Sequence, residues 1–409
     1  MVMRLRFEKR LRTLQSSVQL CGVCCNKLTT KHLFSRISLS QGGRRRCLVI
    51  HIGNISSSQK NFPASQENGV DRKFPNVKAE RQKPPWRILF FGTDDFSLHT
   101  LKVLHSNRQQ LDYKLVDTLE VVTKQKCSVR RFAEVTGLVT HDWPISITPE
   151  KFDVGVLVSF GKLIPSKVIN KFAYGILNIH PSLLPRWRGA APIPHTVLNG
   201  DQETGVSIMQ ILPTRFDQGP IVKQVKLPVP PGCTTLELAQ GLGEKGSQMI
   251  LEVLSDLVSH LDNRVQQSTE GVTLAHKLSR TMAYINWESQ TCQQIDQQYR
   301  ALHELLPLRT EWNGKAVKLL DMIITEDDVE TAAEVFFKTK HFSPGQPFYR
   351  KKSNKLYIRC KDGWVGFKSL ILKKPMTAQD FDCGYLSKTL TYPDMKFTSV
   401  KNGLFQKDS

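Results

Sequence analysis

Asn178 and His180 stand one residue apart at the end of an apolar run, residues 174–179, and open the stretch NIHPSLLPRWRGAAP, residues 178–192. A short apolar run of this kind predicts a buried strand. Side chains at i and i+2 of a strand point the same way. An amide and an imidazole therefore face one site at a strand's carboxyl end, where open α/β sheets place their ligands. The best third member is Asp217, with Gly219 two residues on. An amide, an imidazole and a carboxylate suit acyl transfer without a covalent intermediate. Asn178 would donate to the oxyanion of a tetrahedral intermediate. His180 would supply a second donor, and Asp217 would orient His180 or pass a proton through water. Ser182 sits in no G-x-S-x-G elbow, which argues against a serine nucleophile. Each of these residue types also serves as an ordinary cap or core hydrogen-bonding group, so the residues alone leave hydrolase and transferase open.

The elements that must position this trio read as a doubly wound α/β sheet. Residues 86–91, WRILFF, predict the first strand, and Gly92-Thr93-Asp94-Asp95 predicts a turn and helix start. One glycine is not the dinucleotide fingerprint, so no nicotinamide site is assigned; Gly92 would let the backbone approach some other ligand. Further strands are expected at 119–122, 152–160, 205–211 and 221–229, with helices at 190–198 and 234–261. The loop after the second strand carries Lys124, Lys126, Arg130 and Arg131. It is either an ordinary solvated loop or a phosphate-contacting one.

From about residue 262 the character changes. A polar linker, 262–280, contains His276, Lys277 and Arg280 and leads to a helix at 290–305. Short strands are expected at 312–320, 345–349, 355–360, 363–367 and 370–372, with turn signals at Asn313-Gly314 and Asp362-Gly363. Such a series points to a small barrel. Residues 350–374 hold nine Lys and Arg against one acid, Asp362, interleaved with Tyr357, Trp364 and Phe367. A basic, aromatic-bearing surface suits nucleic acid, although a solvated basic face has the same composition.

Charge separates the leader from the body. The chain has 409 residues and a net charge of +20. Residues 1–83 hold 17 basic and 4 acidic groups, a net +13. Residues 1–60 are rich in Arg and Ser, with Glu8 as their one acid. That composition marks a mitochondrial transit peptide; a basic arm for nucleic acid is the alternative. No run of about 18 apolar residues predicts a membrane span. Four cysteines, Cys21, Cys24, Cys25 and Cys47, lie in the leader. The other five, Cys127, Cys233, Cys292, Cys360 and Cys383, are scattered singly, which suits free thiols in a reducing compartment. No metal site is expected.

The stretch 178–192, followed by NGDQETGVSIMQI and Asp217-Gln218-Gly219, resembles the catalytic region of the methionyl-tRNA formyltransferases. The Asn-x-His and Asp trio is similar to that of enzymes using 10-formyltetrahydrofolate in general. The RWRGAAP continuation and the basic carboxyl-terminal part resemble the tRNA-acting branch. The similarity runs from about residue 86 to 386, and with the leader the chain looks like the mitochondrial, animal-type members. The resemblance implies a Rossmann-like formyltransferase domain at 86–261, the linker at 262–280, and an OB-like β-barrel domain with tail at 281–409, after a transit peptide and linker at 1–85. It implies transfer of formyl from 10-formyltetrahydrofolate to the α-amino group of initiator methionyl-tRNA in the mitochondrial matrix. A monomer is expected only because no interface pattern is visible in the sequence. The resemblance makes Asn178, His180 and Asp217 catalytic, and Ser182, Leu183, Leu184 and Pro185, with Gly92, folate-binding. Lys124, Lys126, Arg130, Arg131, Arg186, Arg188, Lys277, Arg280, Arg350, Lys351 and Lys352 become candidate tRNA contacts. Bacterial members carry a longer basic insertion after the second strand, so residues 123–129 are short for the family. Residues 210–217 are one residue longer than the bacterial pattern. A folate enzyme acting on a small acceptor such as glycinamide ribonucleotide is the nearest competitor, and an RNA-binding protein on the same scaffold is a different class. The basic barrel argues against the first and the intact trio against the second.

Overall fold

Residues 86–92 are apolar except for Arg87, which pairs with Asp153, because both faces of this central strand are covered by protein. The computed structural model describes residues 79–213, 215–323, 342–387 and 395–399. The leader with its four cysteines therefore lies outside the described residues.

The first half runs β1 (Trp86–Gly92), α1 (Asp95–Arg108), β2 (Val116–Thr123), α2 (Ser128–Val135), β3 (Val139–Asp142), β4 (Val154–Val158), α3 (Ser166–Ile169) and β5 (Ile176–His180). It continues through β6 (Arg188–Gly189), α4 (Pro192–Leu198), β7 (Glu203–Gln210), β8 (Ile221–Pro228), α5 (Thr235–Ser255) and α6 (Leu257–Asp262). One sheet has the order β3-β2-β1-β4-β5-β7-β8. Its first five strands are parallel, and β7 and β8 are antiparallel additions. Asp94 and Ser97 form a capping box that starts α1 at the end of β1. Thr234 and Glu237 do the same for α5.

Several expectations shift. The sequence reading misses β3, an edge strand whose residues VTHD are mostly polar and none fully buried. The helix expected over 234–261 is broken at Asp256, whose φ of −141° is not helical. At Gly92 a side chain would meet Phe90 at 2.6 Å and Ser97 at 2.8 Å, so its smallness serves the packing of α1.

The linker contributes β9 (Leu274–Ala275), which pairs in parallel with β6. Then follow α7 (Cys292–Leu302), β10 (Leu308–Trp312), β11 (Lys315–Ile323), β12 (Pro347–Arg350), β13 (Lys355–Arg359), β14 (Trp364–Ile371), β15 (Pro375–Thr377), α8 (Ala378–Phe381) and β16 (Phe397–Thr398). The strand expected at 312–320 is a hairpin around Asn313-Gly314, both at positive φ. The two short strands expected at 363–372 are one, β14. The antiparallel order is β12-β13-β14-β11-β10-β16, with β15 on β14. The amide of Phe397 donates to the Gly345 carbonyl at 2.8 Å, just before β12, so the two edges meet and the sheet closes as a small barrel. Trp287, Trp312, Phe367, Phe381 and Phe397 fill it.

Helix α7 ties the halves together. Thr235 donates to the Ala301 carbonyl at 2.8 Å, and Arg300 to the Cys233 carbonyl at 2.9 Å. At its start, two cysteines that looked solitary in sequence meet. Cys292 Sγ lies 3.3 Å from Cys360 Sγ, and Asp362 Oδ1 accepts from the Cys292 amide at 2.8 Å. Gly363 leaves room for the Cys292 sulfur, which lies 2.6 Å from where a side chain would begin.

Candidate active site

Strand β5 ends with Asn178 and His180 on the same side, both buried. Asp217 reaches them from the loop after β7. Its Oδ1 accepts from Asn178 Nδ2 at 3.2 Å and faces His180 Nδ1 at 3.7 Å. Its Oδ2 accepts from the Gly189 amide at 2.9 Å. His180 Nε2 lies 2.9 Å from the Trp187 carbonyl. A carbonyl can only accept, so Nε2 carries a hydrogen and Nδ1 is the atom turned to Asp217. The trio inferred from residue types and resemblance is thus brought together. The second-donor role expected for His180 is not what this geometry offers a neutral ring: with Nε2 donating to the Trp187 carbonyl, Nδ1 is an acceptor.

Two close approaches make this geometry possible. Asp217 adopts φ of +53°, a left-handed conformation that Asp tolerates better than most residues. Gly219 then lets the loop fold back on β7, because a side chain there would lie 1.8 Å from the Gln210 carbonyl oxygen. Gly189, at φ of +127°, lies against the linker, where a side chain would meet the Ala275 carbonyl at 2.5 Å.

The trio lines a cavity of about 460 Å³. Its walls come from two loops, Phe160, Gly161, Leu163 and Ile164 after β4, and Leu212, Arg215 and Phe216 before Asp217. The sequence marks both loops, the first by Gly161 and the second as the irregular stretch 212–219, but assigns no ligand to their apolar residues, which past a strand end read as core. Ser182–Pro185 stands behind the site instead of lining it. Ser182 donates to the Arg186 carbonyl at 2.7 Å. Ser207 accepts from the Leu184 amide at 3.1 Å and donates to the Ser182 carbonyl at 2.6 Å. Gln224 donates to the Leu184 carbonyl at 3.0 Å. These bonds brace the turn, with a cis peptide at Leu184–Pro185.

The cations divide into two groups. Arg186 grips Asp201 with Nε and Nη2 at 2.8 and 2.6 Å and lies over the Trp187 ring at 4.5 Å. Burial pushes the Asp201 carboxyl up, but Arg186, Trp187 and Asn199 outweigh it and hold the carboxyl below its ordinary range. The same pairing raises Arg186. Arg188 donates to Gln267 Oε1 from Nε at 2.9 Å and Nη2 at 2.6 Å. Burial lowers its pKa, and the Asp217 carboxylate opposes that shift. Arg130 pairs with Asp142 and donates to Thr140. Lys124, Lys126, Arg130 and Arg131 line a second, polar cavity of about 760 Å³ that shares Asp94 with the first. Lys124, Lys126, Arg131, Lys277, Arg280, Lys351 and Lys352 are exposed, and Arg350 is half-buried at the end of β12.

Both halves of the chain carry formyltransferase patterns. The family described as "Formyl transferase" matches residues 121–254, and "Formyl transferase, C-terminal domain" matches residues 277–386. The mitochondrial methionyl-tRNA formyltransferase of Homo sapiens is 47% identical over 311 residues, 75% of this chain and 79% of that protein. Its Mus musculus counterpart is 45% identical over 323 residues, 78% of this chain and 83% of that protein. Among solved structures, an N-formyltransferase from Helicobacter canadensis, determined with folinic acid and dTDP-3-aminofucose, shares the fold with a TM-score of 0.51 at 15% identity, over 69% of this chain and 98% of that one. The chain belongs to the methionyl-tRNA formyltransferase family.

Proposed function

We infer that this protein transfers the formyl group of 10-formyltetrahydrofolate to the α-amino group of methionyl-tRNA, supplying formylmethionyl-tRNA for initiation in the mitochondrial matrix. The observation that carries the reading is the Asn178, His180 and Asp217 cluster lining a largely apolar cavity. A cavity of about 460 Å³ falls within the size range of small-ligand sites. Leu157, Phe160, Ile164, Ile211 and Phe216 offer apolar faces to a flat heterocycle, and polar groups share the lining with them, so the walls fit a folate. Bound there, the folate supplies the formyl group.

The amine must be neutral to attack, and negative charge develops on the formyl oxygen as its carbon becomes tetrahedral. Asn178 gives one amide hydrogen to Asp217 and has a second to donate to that oxygen. Asp217 fixes the rotamer of Asn178 and faces Nδ1 of His180, which together can take the amine proton through water. The acceptor end of the tRNA would enter past Asp94, where the two cavities meet. Lys124, Lys126 and Arg131 would meet phosphates there, with Lys277, Arg280, Lys351 and Lys352 further along. Among the described residues no helix is long and apolar enough to cross a membrane.

The test offers 10-formyltetrahydrofolate with methionyl-tRNA, glycinamide ribonucleotide or water as acceptor. Formylated methionyl-tRNA, formed on the order of 10²–10³-fold more slowly by Asn178→Ala, is the expected product. Transfer only to the small acceptor or to water would overturn the assignment of the acceptor.

A further inference from the structure

The linker between the domains is exposed over most of 262–274, yet Gln267 and Thr273 turn inward. Thr273 Oγ1 accepts from the Trp187 amide at 2.8 Å, and its carbonyl accepts from the Arg188 amide at 2.9 Å. Gln267 does more. Its Nε2 donates to the carbonyls of Asp217 and Gly219, each at 2.8 Å. Its Oε1 accepts both donors of Arg188, at 2.9 and 2.6 Å. Carbonyls only accept and a guanidinium only donates, so these partners fix which end of the amide is which. Two residues earlier, Val265 and Ile221 exchange backbone hydrogen bonds at 2.7 and 2.9 Å, which sets the register from which Gln267 reaches in.

The loop that Gln267 clamps needs a clamp. Asp217 sits at φ of +53°, a backbone state that costs on the order of 1–3 kcal/mol and persists only when surroundings hold it. Gln267 binds the carbonyl of that residue and the one two positions on, across the bend that aims the carboxylate. We propose that Gln267 is a positioning residue of the active site: from the interdomain linker it holds the Asp217 loop in its left-handed turn, and so sets the carboxylate against Asn178, His180 and the Gly189 amide. The linker then braces the catalytic centre as well as tethering the barrel. The kinetic part of this inference rests on the formyl-transfer reading above; the structural part does not.

Two variants of the full chain separate the contacts. Gln267→Met removes all four hydrogen bonds at similar length. Gln267→Glu keeps an acceptor for Arg188 but cannot donate to the two carbonyls. Both should lower kcat for formylation of methionyl-tRNA on the order of 100-fold, the scale of a small misplacement of a catalytic group, with KM for either substrate little changed. In both, the Gly189 amide, which donates to Asp217, should exchange its hydrogen faster, while Tm stays near that of the parent chain. Retention of kcat by Gln267→Glu, with loss only in Gln267→Met, would show that the residue serves Arg188 alone and overturn the proposal. Unchanged Gly189 exchange would overturn it as well, whatever the rate. A parent chain that forms no formylmethionyl-tRNA would sink the functional reading instead, and Gly189 exchange would still decide the role of Gln267.

Discussion

The arginines of the catalytic stretch and the lysines of the loops around it share a charge but not a role. Arg186 and Arg188 lie within ten residues of Asn178, yet each is held by a partner in the chain, Asp201 and Gln267. Lys124, Lys126, Lys351 and Lys352 lie at loop tips and stand exposed. A guanidinium engaged by a carboxylate or amide at two points fixes geometry; an exposed lysine can displace counterions from a polyanion. The two arginines of the catalytic stretch are thus engaged within the chain, and the exposed lysines are the ones proposed for RNA.

The comparison is sharpened first at the chemistry. Asn178→Ala should cost on the order of 10²–10³ in kcat, the loss typical of one oxyanion donor, while tRNA affinity in a filter-binding or fluorescence titration stays level. A parallel loss of affinity would mean that the site and the RNA surface are not separable. Next comes the engaged group. Asp201→Ala leaves Arg186, Trp187 Nε1 and Asn199 without their shared acceptor and should lower stability by about 2 kcal/mol, measured by urea unfolding. The salt slope of tRNA binding should not change. If that slope flattens, Arg186 reaches RNA after all.

The exposed group should behave in the opposite way. Lys351→Ala and Lys352→Ala should each reduce the slope of log affinity against log salt by about 1 and leave Tm alone. An unchanged slope would remove the turn after β12 from the RNA surface. The smallest effect is on pH. Because Asp201 is held below the ordinary carboxylate range, its stabilisation is complete above that range and is lost as pH falls through its depressed value. Asp201→Asn should therefore flatten the acid limb of a Tm–pH profile and do nothing to the neutral limb.

What the sequence made legible followed from local rules. Asn178 and His180 were readable because strand alternation puts i and i+2 on one face, and the central strands because burial on both faces leaves near-continuous apolar runs. Asp217 was marked by Asp-x-Gly and its catalytic role implied by the resemblance; the reason for the Gly, the approach to Gln210, is tertiary. Gln267 was not readable at all. It lies 50 residues from Asp217 in a polar run with no period, and its function comes from a contact that no local pattern encodes. The cavity walls at Phe160, Leu163 and Ile164 failed for a related reason, since an apolar side chain looks the same facing a core or a ligand. The cysteines misled through distance, because Cys292 and Cys360 are 68 positions apart and meet only when the barrel closes on α7.

The most direct test of the account is formyl transfer by the chain without residues 1–78, with 10-formyltetrahydrofolate as donor and methionyl-tRNA as acceptor. The account predicts formylmethionyl-tRNA from the parent chain and almost none from Asn178→Ala at undiminished tRNA affinity. Product formed equally well by both would contradict it, because the strand end around which the fold is arranged would then not be where the chemistry occurs.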